Sequence, residues 1–139
     1  MLLSLPIVVD DIKACTACAL QPMHNGPVPP RWRADLPDPK VFIIGEAPGE
    51  QEDLQGEPFV GPAGRLLDRM LQALALTRQP AAPQQQVYIA NTLKCRPPRN
   101  RNPEPAELAQ CIPYLERQVA LVQPRVVLAM GRYAVQALL

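Results

Sequence analysis

Four cysteines and one acidic, glycine-rich loop carry the chemistry legible in this chain. Cys15 and Cys18 stand as Cys-x2-Cys near the start, and Cys95 and Cys111 follow much later with fifteen residues between them. A Cys-x2-Cys turn delivers two thiolates to one centre, and the later pair can complete fourfold ligation of zinc or of an iron-sulphur cubane. A zinc ribbon ordinarily repeats the close spacing, so the wide second pair makes zinc the less favoured choice. A thioredoxin-like redox pair needs a strand and helix context that is not evident here. Unrelated buried thiols are the plain alternative.

Between the two pairs lies Gly45-Glu46-Ala47-Pro48-Gly49-Glu50-Gln51-Glu52-Asp53. Its glycines permit sharp turns and close backbone approach, so amide N–H groups can face an anion. No Gly-Lys-Ser or Gly-Lys-Thr follows, which argues against a nucleotide-hydrolase phosphate loop. The carboxylates read equally well as metal ligands, a general base or solvated side chains. Charge is also segregated: Glu46, Glu50, Glu52, Asp53 and Glu57 have no basic residue among them, while Lys94, Arg96, Arg99 and Arg101 form an unmixed basic run. Such separation can steer a polyanion while reserving carboxylates for a reaction, although two solvated loops would look the same.

These residues need elements to hold them. Lys40 to Gly45 is a short apolar run that predicts a buried parallel strand, and the loop beyond such a strand's C-terminal end is where α/β proteins bind ligands. Pro62 suits a first helical residue, and Leu66, Leu67, Met70, Leu71 and Leu74 predict an amphipathic helix over 62–76. Val87 to Asn91 reads as a second strand that again ends on a polar residue. Pro105 opens a helix through Leu108, Cys111, Leu115 and Val122, which Pro113 should kink. Arg125 to Met130 is a third strand, and Gly131 starts a last short helix. The alternation predicts an α/β fold, a three-layer α/β/α arrangement with a central parallel sheet. The third strand is expected to be a bare edge.

At 139 residues the chain fits one domain, and its net charge of +1 gives no global argument for nucleic acid. The prolines cluster at 22–39, 80–83 and 97–105, which punctuates the chain into segments. Met1 to Val9 is apolar but lacks a preceding basic segment and a following small-residue cleavage site, so it does not read as a signal peptide. No run approaches the roughly 20 apolar residues of a membrane span. A cytoplasmic location with no membrane partner is the expectation, and in that compartment cysteines are metal ligands more often than disulfides.

The acidic loop, then Gly56-Glu57-Pro58-Phe59-Val60-Gly61 with Gly64 and Leu66-Leu67, then Asn91-Thr92-Leu93-Lys94-Cys95-Arg96-Pro97-Pro98 and Asn102-Pro103, form a long ordered set. It resembles the iron-sulphur uracil-DNA glycosylases, family four of the uracil-DNA glycosylase superfamily. The resemblance runs from about Cys15 to Leu139, and the segment 21–39 departs from the family's usual intervening sequence. It implies a single glycosylase-like domain over 1–139 with three of the usual strands. It further implies a monomer that flips uracil out of DNA and hydrolyses its N-glycosidic bond to leave an abasic site.

The same resemblance implies residue roles. Cys15, Cys18, Cys95 and Cys111 would hold a mainly structural [4Fe-4S] cluster, with zinc as the alternative. Phe59 would stack on the flipped base and Asn91 would bond its edge, although taken alone Phe59 reads as a core aromatic and Asn91 as a turn former. Glu52 would orient or activate water and Glu46 would support it near the base. Amides near Glu46 and Ala47 would receive a uracil oxygen, Ala47 standing where other families of the superfamily use an acidic residue. Arg96, Arg99 and Arg101 would contact DNA phosphates. Family members also carry a fourth strand and a His-Pro motif that this sequence does not reach, and its one histidine, His24, lies in a proline-rich loop. Reduced activity is therefore expected, by about 10²- to 10³-fold for one lost donor. The competing readings are the same scaffold acting on another deaminated base, a non-catalytic iron-sulphur module binding DNA or a protein, and a truncated product that barely folds.

Overall fold

The computed structural model describes residues 4–17, 20, 22 and 24–139. In chain order it contains α1 (Leu5–Lys13), β1 (Val41–Gly45), α2 (Glu50–Gln55), α3 (Pro62–Ala73), β2 (Val87–Asn91), α4 (Pro105–Val122), β3 (Val126–Ala129) and α5 (Arg132–Leu138). The strands form one parallel sheet in the order β2-β1-β3. Successive strand side chains point to opposite faces, so one apolar run can fill two cores. Phe42 and Ile44 with Tyr88 and Ala90 meet Leu5 of α1, Leu115 and Val122 of α4, and Ala134 of α5. Ile43 with Val87 and Ile89 meets Leu67 and Leu71 of α3 on the other side. This is the expected α/β/α sandwich.

β1 and β2 carry the sheet. Phe42, Ile43, Ile44, Tyr88 and Ile89 are wholly inaccessible, a burial that stabilises by about 1.5–3 kcal/mol per large apolar side chain. Val126, Val127 and Leu128 of β3 remain exposed, which matches the bare edge read from sequence. The outer edge of β2 is covered instead by the segment that departs from the family pattern. There the Arg31 N–H donates to the Ile89 carbonyl at 2.8 Å, the Ile89 N–H donates back at 3.1 Å, and Trp32 lies 5.6 Å from the Tyr88 ring. Those bonds occupy an edge that would otherwise pair with other chains.

Three details differ from the sequence reading. The apolar start, excluded as a leader but given no element, is α1; it buries Leu5, Val8, Val9 and Ile12 at helical spacing, and Asp11 pairs with Arg117 of α4 at 2.7 Å. In α3 only Gly64, Leu67 and Leu71 are buried, while Leu66, Met70 and Leu74 lie one residue round the helix and face outward. That helix stops at Ala73 because Ala75 is left-handed and the Leu76 N–H returns to the Leu71 carbonyl at 2.9 Å. α4 runs past Pro113 to Val122, as read from the sequence. Among the described residues no helix is long and apolar enough to cross a membrane.

Candidate active site

The register of the sheet builds the site. Gly45 is opposite Asn91, and Ile44 is opposite Ala129, so Met130 follows β3 at the level of Gly45 and donates its N–H to the Ile44 carbonyl at 2.8 Å. The C-terminal ends of three strands thus deliver Gly45, Asn91 and Met130 to one place. They line a cavity of about 190 Å³ together with Glu46, Ala47, Glu52, Phe59 and the first turn of α3. Glu46, Ala47, Glu52, Phe59 and Asn91, all chosen from the sequence, converge there.

Close backbone approach makes the cavity possible. A β-carbon at position 45 would lie 2.3 Å from Phe59 Cζ and 2.6 Å from Asn91 Oδ1, so only glycine lets the ring and the amide stand together. A β-carbon at position 64 would lie 1.8 Å from the Phe59 carbonyl oxygen, so α3 can approach this loop only through Gly64. Phe59 itself has φ 56, a left-handed conformation that costs a bulky residue about 1–3 kcal/mol. The surrounding loop must hold it there.

Two polar groups on the wall have no partner among the described residues. Asn91 is only 6% exposed, yet its side-chain amide makes no hydrogen bond among the described residues, and no fully enclosed polar atom is left unsatisfied. The amide therefore opens on the cavity. The Glu46 carboxylate likewise has no hydrogen-bond or ion-pair partner among the described residues.

Two other carboxylates of the loop, Glu52 and Asp53, are committed to structure. Glu52 Oε1 accepts the Gly49 N–H at 3.0 Å, and Oε2 accepts the N–H groups of Val60 and Gly61 at 2.8 and 2.7 Å. Three of its roughly four lone-pair sites are thus filled by backbone. Glu52 closes the first turn of α2 onto its N-cap and joins α2 to the start of α3. Asp53 is buried and accepts the Asn25 backbone N–H at 3.1 Å and its Nδ2 at 2.9 Å. The sequence reading puts Glu52 on the water and Glu46 in support near the base; of these two cavity carboxylates, Glu46 is the one without a partner among the described residues.

Below the pocket a buried polar chain fixes β2. Lys94 is 1% exposed and donates from Nζ to the Asn91 carbonyl at 2.6 Å and to Gln118 Oε1 at 3.1 Å, while Gln118 Nε2 donates to Tyr88 Oη at 2.7 Å. Burial pulls the ammonium down to about 8, against an opposing push from Cys111. Burial also raises the Tyr88 phenol. Lys94 is thereby removed from the basic surface run. The Thr92 and Leu93 N–H groups bond the Gly45 and Glu46 carbonyls at 2.9 Å each, tying the end of β2 to the acidic loop.

The basic loop is also sorted by the fold. Arg101, which the sequence reading puts on DNA phosphates, forms a fork onto Glu107 at 2.8 and 2.7 Å, so part of its donor set is engaged within the chain. Arg96 Nε donates to Asn100 Oδ1 at 2.8 Å. Arg99, exposed and left-handed at φ 54, has no partner among the described residues. On the outward face of α3, Arg65 and Arg69 are also exposed and unpaired among those residues; sequence reading passed over both.

Cys95 and Cys111 are buried in one apolar cluster with Leu20 and Leu93, against which Ala47 of the cavity wall packs. Tyr114 is hydrogen-bonded to Cys15, and that bond, burial, and the nearby Cys15 and Cys111 push its phenol up to about 12. Cys15 therefore stands at the same corner of the fold, while Cys18 lies outside the described residues. Among the described residues no three metal-ligating side chains form a group that would hold a single ion. Thiols from the loop after β2 and from α4 share one buried cluster, and thiolates are the donors an iron-sulphur cluster takes. The sequence reads Gly45 as a loop glycine allowing close approach and Gly64 as part of the motif set; Met130 is not picked out there as a site residue, and the strand-end rule finds it once the register is known.

A profile of the uracil DNA glycosylase superfamily matches residues 33–139. The chain is 43% identical over 133 residues to the type-4 uracil-DNA glycosylase of Archaeoglobus fulgidus, an alignment covering 96% of this chain and 62% of that protein. It is 39% identical over 132 residues to the type-4 enzyme of Saccharolobus solfataricus, covering 94% and 57%. Against the type-5 uracil-DNA glycosylase of Thermus thermophilus the identity is 34% over 124 residues, covering 79% and 56%. The chain spans about six-tenths of the length of these curated relatives.

Proposed function

The chain belongs to the uracil-DNA glycosylase superfamily, and from that premise we propose that it removes uracil from DNA by hydrolysing the N-glycosidic bond. The observation that carries this reading is the Asn91 amide, unpartnered among the described residues, beside the Phe59 ring in a cavity at the strand ends. An amide offers a donor and an acceptor side by side, which matches the edge of a pyrimidine, and an aromatic face supports a flat base. A duplex hides that edge, so the base must be flipped out to reach it.

In the reaction the C1′–N1 bond breaks with its electron pair leaving on uracil, and water adds to the sugar carbon. Positive charge grows on the sugar and negative charge on the base. Glu46, the open carboxylate, faces the first charge and takes the proton that water loses. The amides of Glu46 and Ala47 and the Asn91 amide receive the second, in the manner of an oxyanion hole. Glu52 keeps the loop in shape. Arg99, with Arg96, meets the phosphates beside the flipped nucleotide, which makes DNA binding salt-sensitive.

Cys15, Cys18, Cys95 and Cys111 would hold a [4Fe-4S] cluster, whose contribution when bound is to staple the N-terminal segment to the loop after β2 and to α4. The support is the thiol set itself and the burial of Cys95 and Cys111 in one cluster against which Ala47 packs. Iron and sulfide analysis with the visible absorption spectrum of anaerobically purified protein tests this, and zinc without iron would refute it.

The test of function is uracil release from a labelled uracil-containing oligonucleotide, with Asn91→Ala as control. Release lost in the control supports the reading. DNA binding without release from a folded protein would overturn it in favour of a non-catalytic module.

A further inference from the structure

Phe59 is held in its left-handed conformation from two sides, and only one of them is the Glu52 carboxylate. The other is Arg78, a residue in the turn after α3 whose side chain is 9% exposed. Its Nη1 donates to the Pro58 carbonyl at 2.7 Å, its Nη2 to the Phe59 carbonyl at 2.6 Å, and its Nε to Asp68 Oδ1 of α3 at 2.8 Å. Glu57 pairs with it at 3.7 Å and with Arg31 at 3.5 Å, while Arg31 Nε also donates to the Arg78 carbonyl at 3.3 Å.

The placement of those bonds matters more than their number. The Pro58 carbonyl lies in the peptide plane before the Phe59 α-carbon, and the Phe59 carbonyl lies in the plane after it. The two planes together define φ and ψ of Phe59. Glu52 touches only the second plane, through the Val60 N–H. Arg78 bonds both, and its rigid fork fixes the angle between them. A lysine, a single charge on a flexible stem, cannot do so. The Phe59 ring in turn meets the cavity beside Gly45 and Asn91.

We infer that Arg78 is a positioning residue that aims the Phe59 ring into the cavity and so sets how a planar base is gripped there. The inference rests on reading the cavity as a base pocket. Arg78 does not line that cavity and acts only through Phe59.

The chain has two phenylalanines, Phe42 in the core and Phe59 at the cavity, so protein carrying 4-fluorophenylalanine gives one fluorine signal for each. Phe59→Leu assigns them. In Arg78→Lys the Phe59 signal should shift or broaden while the Phe42 signal holds. Uracil release by Arg78→Lys, read as kcat/KM, should fall roughly tenfold, within the range expected for a weakened base stack. In a Phe59→Leu background the same change should cost less than about twofold, because the route of action is already gone. An unmoved Phe59 signal, or a full second loss in the Phe59→Leu background, overturns the inference. If both signals move because Arg78→Lys unfolds, Asp68→Ala removes only the exposed acceptor of the Arg78 Nε–H and is held to the same outcomes. Should the unsubstituted chain release no uracil, the glycosylase reading fails, and the fluorine signals still decide the role of Arg78.

Discussion

The Glu52 carboxylate accepts the N–H of Gly61 at 2.7 Å and thereby ties the acidic loop to the N-cap of α3. Glu46, six residues earlier in the same loop, has no partner among the described residues. Two carboxylates that look alike in the sequence therefore do different work.

That difference is measurable. Glu52→Ala orphans the N–H groups of Gly49, Val60 and Gly61, and should destabilise the fold by about 2–3 kcal/mol as well as reduce uracil release. Glu46→Gln should leave stability within about 0.5 kcal/mol and lower release by about 10²-fold or more. Urea melts beside single-turnover assays separate the two. Equal stability losses would return both carboxylates to a structural role.

Asn91 makes its backbone bond to Lys94 whatever its side chain does, so Asn91→Ala should melt close to the unsubstituted chain. Its loss of release should correspond to about 1–3 kcal/mol, the worth of a paired amide-base contact. Binding of an abasic-site oligonucleotide, which lacks the base, should be unaffected. Weaker binding of that oligonucleotide would mean that Asn91 supports the loop and does not read the base.

Arg99 and Arg101 are two residues apart, and the fold gives them separate consequences. Arg99→Ala should reduce the slope of log affinity against log salt by about 1 without changing stability. Arg101→Ala should leave Glu107 without its fork and lower the melting temperature. DNA titrations over a salt series, paired with thermal melts, check both.

The same pair gives a pH dependence. The Glu107 carboxyl is held below its ordinary 4.5, chiefly by the hydrogen bonds from Arg101, and it also accepts the Glu104 N–H at 2.9 Å at the start of α4. A carboxyl lowered by folding adds stability that is fully present above its unfolded value and is lost as pH falls through its folded value. Glu107→Gln keeps an acceptor for the Glu104 N–H but loses the charge that faces Arg101, and should therefore melt a few degrees lower at neutral pH. The gap should close as pH drops below 4.5. A gap that persists unchanged into acid would show that charge plays no part.

How much of this was legible in the sequence depends on the range of the interaction. The strands 41–45, 87–91 and 126–129 and the starts of α3 and α4 are written in local patterns: apolar runs bounded by turn residues, and proline at a first helical turn. The order and spacing of the motifs fixed the family, and five residues chosen from them line one cavity. Those signals are short-range, so they survive in one dimension. What required the fold was partnership. Glu52 finds amides eight and nine residues on, Asp53 finds Asn25, Lys94 finds Gln118, and Arg101 finds Glu107. A charged side chain carries no sequence mark of whether a backbone donor will reach it. Burial and long-range hydrogen bonding decide which carboxylate is left open to a substrate and which guanidinium to a phosphate, and both are properties of the packed chain alone.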